Sequence, residues 1–237
     1  HAVKFKFTEF FDAAKLPVPP KIFGNYSRIS QWYGLGNDKY GNCVWAGAAH
    51  ETMLWTLEGF DVRARFTIKD VLSDYSAVTG FDQHKPLTDQ GTDMQEAASY
   101  RRKTGIVDAQ GNRHKIDSYV ALDVGDVDEL ALAVYLCGAC GVGLELPQSA
   151  AMNGVGRPWD VVESSRILGG HYVPVVGRND AGNFVLVTWG KTQEMTPNFY
   201  HRYSDEAIAY LSVERLKKEI SPEGFDLDKL QYYLARL

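Results

Sequence analysis

Residues 41–59 read GNCVWAGAAHETMLWTLEG, and the organisation of the chain follows from them. From Cys43 the stretch predicts a helix, in which Ala46, Ala48 and Ala49 permit close approach and Met53, Leu54 and Leu57 continue the apolar side. Gly59 is the expected stop. A helix this rich in apolar residues belongs in a core. Cys43 opens it directly after Gly41-Asn42, where the backbone can turn sharply and present the sulfur. The positive end of the helix dipole at that position stabilises a thiolate, which is what a thiol nucleophile needs beside a base. Cys137 and Cys140 fall near the end of a helical pattern, where the dipole opposes a thiolate.

Helices also fit Ile68 to Ser76, begun after Thr67, and Met94 to Thr104, closed by Gly105. The second half changes character. An amphipathic helix over residues 126–138 (DVDELALAVYLCG) leads into GVGLELP, residues 141–147. Two valine-rich runs follow, HYVPVVG (171–177) and NFVLVTWG (183–190). The Asn179-Asp180-Ala181-Gly182 turn separates them as in a hairpin. FYHRYSDEAIAYLS (199–212) and FDLDKLQYYLARL (225–237) carry helical patterns. A mainly helical part followed by a strand-rich part is the pattern of an α+β protein of two lobes.

Composition agrees with a folded protein: 237 residues, 45% hydrophobic and 23% charged, are enough for one large or two small cores. A formal charge of −5 opposes general attraction to phosphate backbones, so no nucleic-acid partner is expected. No apolar run approaches the roughly 18 residues of a membrane span, and HAVKFKFTEFF lacks the regions of a signal peptide. Residues 16–26, LPVPPKIFGNY, contain three prolines and are expected to run extended over the surface.

Four segments resemble the papain-like cysteine protease family, in the family's order. GNCVWAGA is similar to its Gly-Ser-Cys-Trp-Ala segment, and GTDMQEAASYRRKTGI (91–106) to its Gly-Gly…Ala…Tyr…Gly-Ile helix. ELALAVYLCGACGVGLEL (129–146) resembles the helix that leads into its Pro-Val-Ser-Val strand. GGHYVPVVGRNDAGNFVLVTWG (169–190) resembles its histidine strand, hairpin and Asn-Ser-Trp-Gly. His171 lies 128 residues after Cys43, near the family's separation of about 130. The likeness covers about residues 31–190. It implies a papain-like fold, with a helical lobe, an antiparallel strand-rich lobe and a cleft between them. The expected division is an N-terminal strap (1–36), a catalytic domain (37–190) and a C-terminal helical extension (191–237).

The resemblance implies roles as well. Cys43 would be the nucleophile and His171 the base, then the acid, as a thiolate–imidazolium pair that forms an acyl-enzyme. Asn37 stands where the family keeps its oxyanion-hole glutamine, and the Cys43 backbone N–H would be the second donor. Trp189 would shield the histidine. Peptide or protein substrates follow, with neither cofactor nor metal.

The departures are informative. Val187 occupies the position of the family's histidine-orienting asparagine, and valine accepts no hydrogen bond. Its neighbour Thr188 points to the other face of a regular strand, so only a bulge or a one-residue slip would bring it to His171. If neither occurs, the scaffold is catalytically impaired and serves as a protein-binding module. Val44 replaces the tryptophan after the cysteine, moving the aromatic to Trp45. Three cysteines supply no disulfide framework, which resembles a cytoplasmic or phage-associated relative rather than a secreted one.

Other candidates read as structural. Cys137-Gly-Ala-Cys140 lacks a second ligand pair, and His50-Glu51 is followed by Leu54 where a metalloprotease motif needs its second histidine. His84, His114 and His201 lie in polar surroundings and are expected at the surface.

Overall fold

The computed structural model describes residues 17–152 and 156–216. Helix α1, Cys43–Phe60, is buried along almost its whole length. Its N-cap residue Asn42 does not cap it; the side-chain amide instead donates to the Leu35 carbonyl at 2.9 Å and anchors the preceding turn to the helix start. Asp61, in the left-handed conformation, ends α1. Gly59 is not the stop that the sequence suggests. A Cβ there would lie 1.8 Å from the Glu214 carbonyl oxygen, so this glycine lets the 213–215 turn close against the helix.

Helix α2, Ile68–Thr79, begins with a reciprocal Thr67–Asp70 capping box and ends at Gly80 in the left-handed region. Helix α3, Met94–Lys103, is capped by Asp93, whose carboxylate accepts from the Gln95 and Glu96 backbone N–H groups. A small ladder joins β1 (Ile106–Val107) to β2 (Arg113–His114).

The main sheet has six antiparallel strands. They are β3 (Ser118–Ala121), β4 (Cys140–Pro147), β5 (Ile167–Arg178), β6 (Phe184–Thr188), β7 (Lys191–Met195) and β8 (Ser204–Leu211), in the spatial order β3-β8-β4-β5-β6-β7. Alternation along the strands makes two cores. Tyr172, Val176, Val185, Val187, Ile208 and Tyr210 pack with residues of α1. Val173, Val175, Phe184 and Leu186 pack with α4 (Val127–Cys137) and α6 (Pro197–Tyr203) on the other side. A short helix, α5 (Gln148–Met152), follows β4.

Two expectations change here. The stretch SDEAIAYL carries a helical pattern, but it is β8, wedged between β3 and β4. A central strand is buried on both faces, so its apolar residues lose the plain alternation that would mark it in sequence. Likewise β7 pairs with β6 across residue 190, so β7 and β8 complete the sheet on either side of α6, and residues 191–211 are not a helical extension. The helix expected over 225–237 lies outside the described residues. At the other end, residues 17–36 include a 3-10 turn, Tyr26–Arg28, and touch the sheet through two isolated bridges, Phe23 to Arg178 and Tyr33 to Gly190.

Candidate active site

Cys43 sits at the first position of α1, half-buried, and His171 lies in β5, 9% exposed. Both line one cleft of about 330 Å³. Gly91, Thr92 and Met94 form one wall, Gly143 and Leu144 another, and Asp205 and Glu206 a third.

The elements holding Cys43 are tied by hydrogen bonds. Asp89 accepts from the Gly41 N–H at 2.9 Å and from the Tyr75 hydroxyl at 2.7 Å, and that hydroxyl accepts from the Gly91 N–H at 3.0 Å. Trp45, one turn into α1, donates its indole N–H to Thr92 Oγ1 at 2.9 Å. The turn before the cysteine and the 91–92 wall are thus fixed to each other. Val44 is buried and lines the cleft.

The histidine has the partner that Val187 cannot provide. His171 Nε2 lies 2.8 Å from Thr188 Oγ1. The reason is a bulge: Val175 pairs with Leu186 but Gly177 pairs with Val185, which leaves Val176 as an extra residue in β5. Beyond the bulge the parity is exchanged. Thr188 shares the face of His171, while Val187 turns into the core around α1 and is 1% exposed.

Trp189 stacks on His171, with ring centroids 5.1 Å apart and 17° between the planes. It achieves this from an unusual backbone. Thr188 pairs with Lys191, so Trp189 and Gly190 alone connect β6 to β7, and both have positive φ, 47° and 77°. That is the pattern of a type I′ turn, which favours Asn-Gly and is strained for tryptophan. Trp159 meets the Trp189 ring edge-on at 6.0 Å.

Asn37 is half-buried in the turn leading to α1, its backbone N–H bonded to the Gly34 carbonyl at 2.9 Å. It is not among the residues lining the cleft of Cys43 and His171. The structure therefore groups Cys43, His171, Thr188 and Trp189, with Asn37 on the strap side, where Tyr33 pairs with Gly190.

Burial controls the electrostatics. It pushes the Cys43 thiol up, against the opposing effect of hydrogen bonds from the Tyr172, Val44 and Cys43 backbones. It also pushes His171 down to about 4. Both shifts favour thiol and neutral imidazole over the thiolate–imidazolium pair that the resemblance implies.

The other candidates have structural settings. The His50 Nε2 lies 3.0 Å from the Trp32 carbonyl and 2.9 Å from that of Tyr33, a buried structural contact. His114 is not a surface residue as expected, but is held between Asp108 and Glu214. Cys137 of α4 and Cys140 of β4 are buried in the core. Among the described residues no group of three or more His, Cys, Asp or Glu is placed to hold a metal, and no helix is long and apolar enough to cross a membrane. Sequence reading missed Asp89, Tyr75, Asp205 and Glu206, because loop and strand-end residues carry no periodic signal.

No family model matches the sequence, and no curated protein does. Solved structures do match. Xylellain, a cysteine protease from Xylella fastidiosa, is 15% identical with a TM-score of 0.63, covering 90% of this chain and 91% of its own. Digestive procathepsin L 3 of Tenebrio molitor larval midgut is 18% identical, also at 0.63, covering 84% of this chain and 72% of its own. The Carica candamarcensis cysteine protease CMS1MS2, solved with E-64, is 12% identical at 0.60, covering 81% of this chain and 99% of its own. The fold is papain-like.

Proposed function

We propose that this protein is a cysteine peptidase or related amide hydrolase acting on peptides or proteins. The observation that carries the reading is the pairing of Cys43, at the start of α1, with a His171 oriented by Thr188 and covered by Trp189, both on one cleft.

With Nε2 donating its proton to Thr188, Nδ1 keeps a lone pair for the thiol proton. The sulfur attacks the substrate carbonyl as His171 takes that proton, and the developing oxyanion receives the Cys43 backbone N–H. His171 then returns the proton to the leaving amine as the C–N bond breaks, giving a thioester. Water, deprotonated by His171, attacks the thioester; the acid is released and the thiol restored. Because burial favours the neutral pair, proton transfer accompanies attack instead of preceding it. The Thr188 hydroxyl within hydrogen-bond distance of His171 supports catalysis over a binding scaffold.

The experiment is a screen of amide and peptide substrates with wild type, Cys43→Ala and His171→Ala. Turnover lost in both variants is expected. Undiminished turnover in Cys43→Ala overturns the reading.

A further inference from the structure

Next along β5 from His171, and on the opposite face, is Tyr172. Its ring occupies a slot cleared by two glycines. A Cβ on Gly47 of α1 would lie 2.3 Å from Tyr172 Cε1, and one on Gly141 of β4 would lie 2.2 Å from the hydroxyl oxygen. The hydroxyl donates to Glu51 Oε1 at 2.5 Å, and the other oxygen of Glu51 pairs with Arg101 of α3 at 2.6 Å. Arg101 lies with its guanidinium carbon 4.3 Å from the Tyr210 ring centroid, and the hydroxyls of Tyr172 and Tyr210 are 3.4 Å apart. All four side chains are buried.

This cluster connects α1, α3, β5 and β8 at a single point. Glu51 follows Cys43 by eight residues on α1, about two helical turns, and Tyr172 is the immediate neighbour of His171. A buried ion pair is a weak source of stability, since apolar residues of the same volume serve as well, and its best-attested use is to fix one arrangement over others. Here it lies between the element that carries the thiol and the one that carries the imidazole. A hydroxyl gripping Glu51 fixes β5 against α1 both along the helix and across it.

We propose that Tyr172 is a positioning residue: its hydroxyl, held by Glu51, sets the approach of the His171 imidazole to the Cys43 thiol. The inference rests on the catalytic reading of that pair, and alkylation separates the two because it needs no substrate. The rate of Cys43 labelling by iodoacetamide at pH 7, followed by peptide mass spectrometry, is compared in wild type, His171→Ala, Tyr172→Phe and Glu51→Gln, with melting temperatures alongside. The wild type should label roughly tenfold or more faster than His171→Ala, whose base is gone. Tyr172→Phe should fall to within about twofold of His171→Ala, although it keeps the ring and His171 itself. Glu51→Gln still offers a carbonyl to the hydroxyl, so it should label within about threefold of wild type while losing melting temperature with its Arg101 pair.

Wild-type labelling in Tyr172→Phe, with slow labelling in His171→Ala, would overturn the positioning role and leave the catalytic reading intact. Equal labelling in wild type and His171→Ala would overturn both. Failure of Tyr172→Phe and Glu51→Gln alike to fold would assign the cluster a structural role only, which also overturns the proposal.

Discussion

Thr188 reaches His171 at 2.8 Å while Val187, its neighbour, is sealed in the core on the other side of the sheet. One extra residue at Val176 produces that exchange. Thr188→Val, nearly isosteric, should lower kcat on an amide substrate by roughly tenfold to a hundredfold, with KM little changed, because the imidazole loses the partner that fixes its tautomer. Thr188→Ser should retain most of the activity. Equal kcat in Thr188→Val and wild type would show that the hydroxyl has no part in orienting the histidine.

Val187→Asn tests the bulge itself. It places asparagine at the family's sequence position, yet on the face turned toward α1. No gain in activity is expected, and burial of an unpaired amide should cost about 1–3 kcal/mol in denaturant unfolding. Higher turnover in this variant would mean that the register differs from the one described.

The pH dependence follows from burial. With the thiol pushed up and the imidazole at about 4, Cys43 alkylation should rise in two limbs: a His171-dependent one that levels off above about pH 5, and a second with its midpoint above the ordinary thiol value of about 8.5. Wild type and His171→Ala should converge once the thiol ionises unaided. Full labelling on the lower limb, with no second rise above about pH 8.5, would instead require a resting ion pair.

Charge on the cleft wall bears on substrate choice. Asp93, Asp205 and Glu206 all line it, and Asp205 Oδ1 lies 2.6 Å from where a Cβ on Gly143 would stand. Burial raises Asp205 and Glu206, so that both gain from a facing cation. Peptides with Arg or Lys beside the scissile bond should have kcat/KM roughly tenfold above those with Glu, an advantage that shrinks in high salt. Glu206→Lys should reverse the order. A preference for apolar side chains that is blind to salt would remove the carboxylates from specificity.

His114 links stability to pH. Burial works against its cation, but Glu214 and Asp108 outweigh that and raise its pKa. A raised histidine contributes stability that is full below its ordinary value of about 6.5 and is lost as pH rises through the folded value. The difference in melting temperature between wild type and His114→Gln should therefore be largest near pH 6 and shrink toward pH 9. A difference that grows with pH would reverse the sign.

The helices and the hairpin were legible because local signals mark them: the Thr67–Asp70 box, Asp93 before α3, and the turn at Asn179–Gly182. Cys43 and His171 were legible through their surroundings in the chain. Thr188 was visible only as a condition, since one bulge decides which of two adjacent residues faces the imidazole and no residue type announces it. Strand β8 resembles a helix in sequence because a doubly buried strand and a buried helix share one composition. The Glu51–Arg101–Tyr172 cluster joins residues as far as 121 positions apart, and only the packing of α1 against the sheet brings them together.

The Trp189-Gly190 turn carries a wider consequence. The cover over the histidine is attached to a dipeptide whose handedness almost excludes the residue that supplies it, and its second member touches the strap at Tyr33 and Gly34. Lid, hinge and fastening are compressed into two residues. Position 190 therefore has no route to change: a methyl group there would meet the strap backbone at 2.6 Å and lift the indole from its ring, so drift can reshape the walls of this cleft far more readily than its roof.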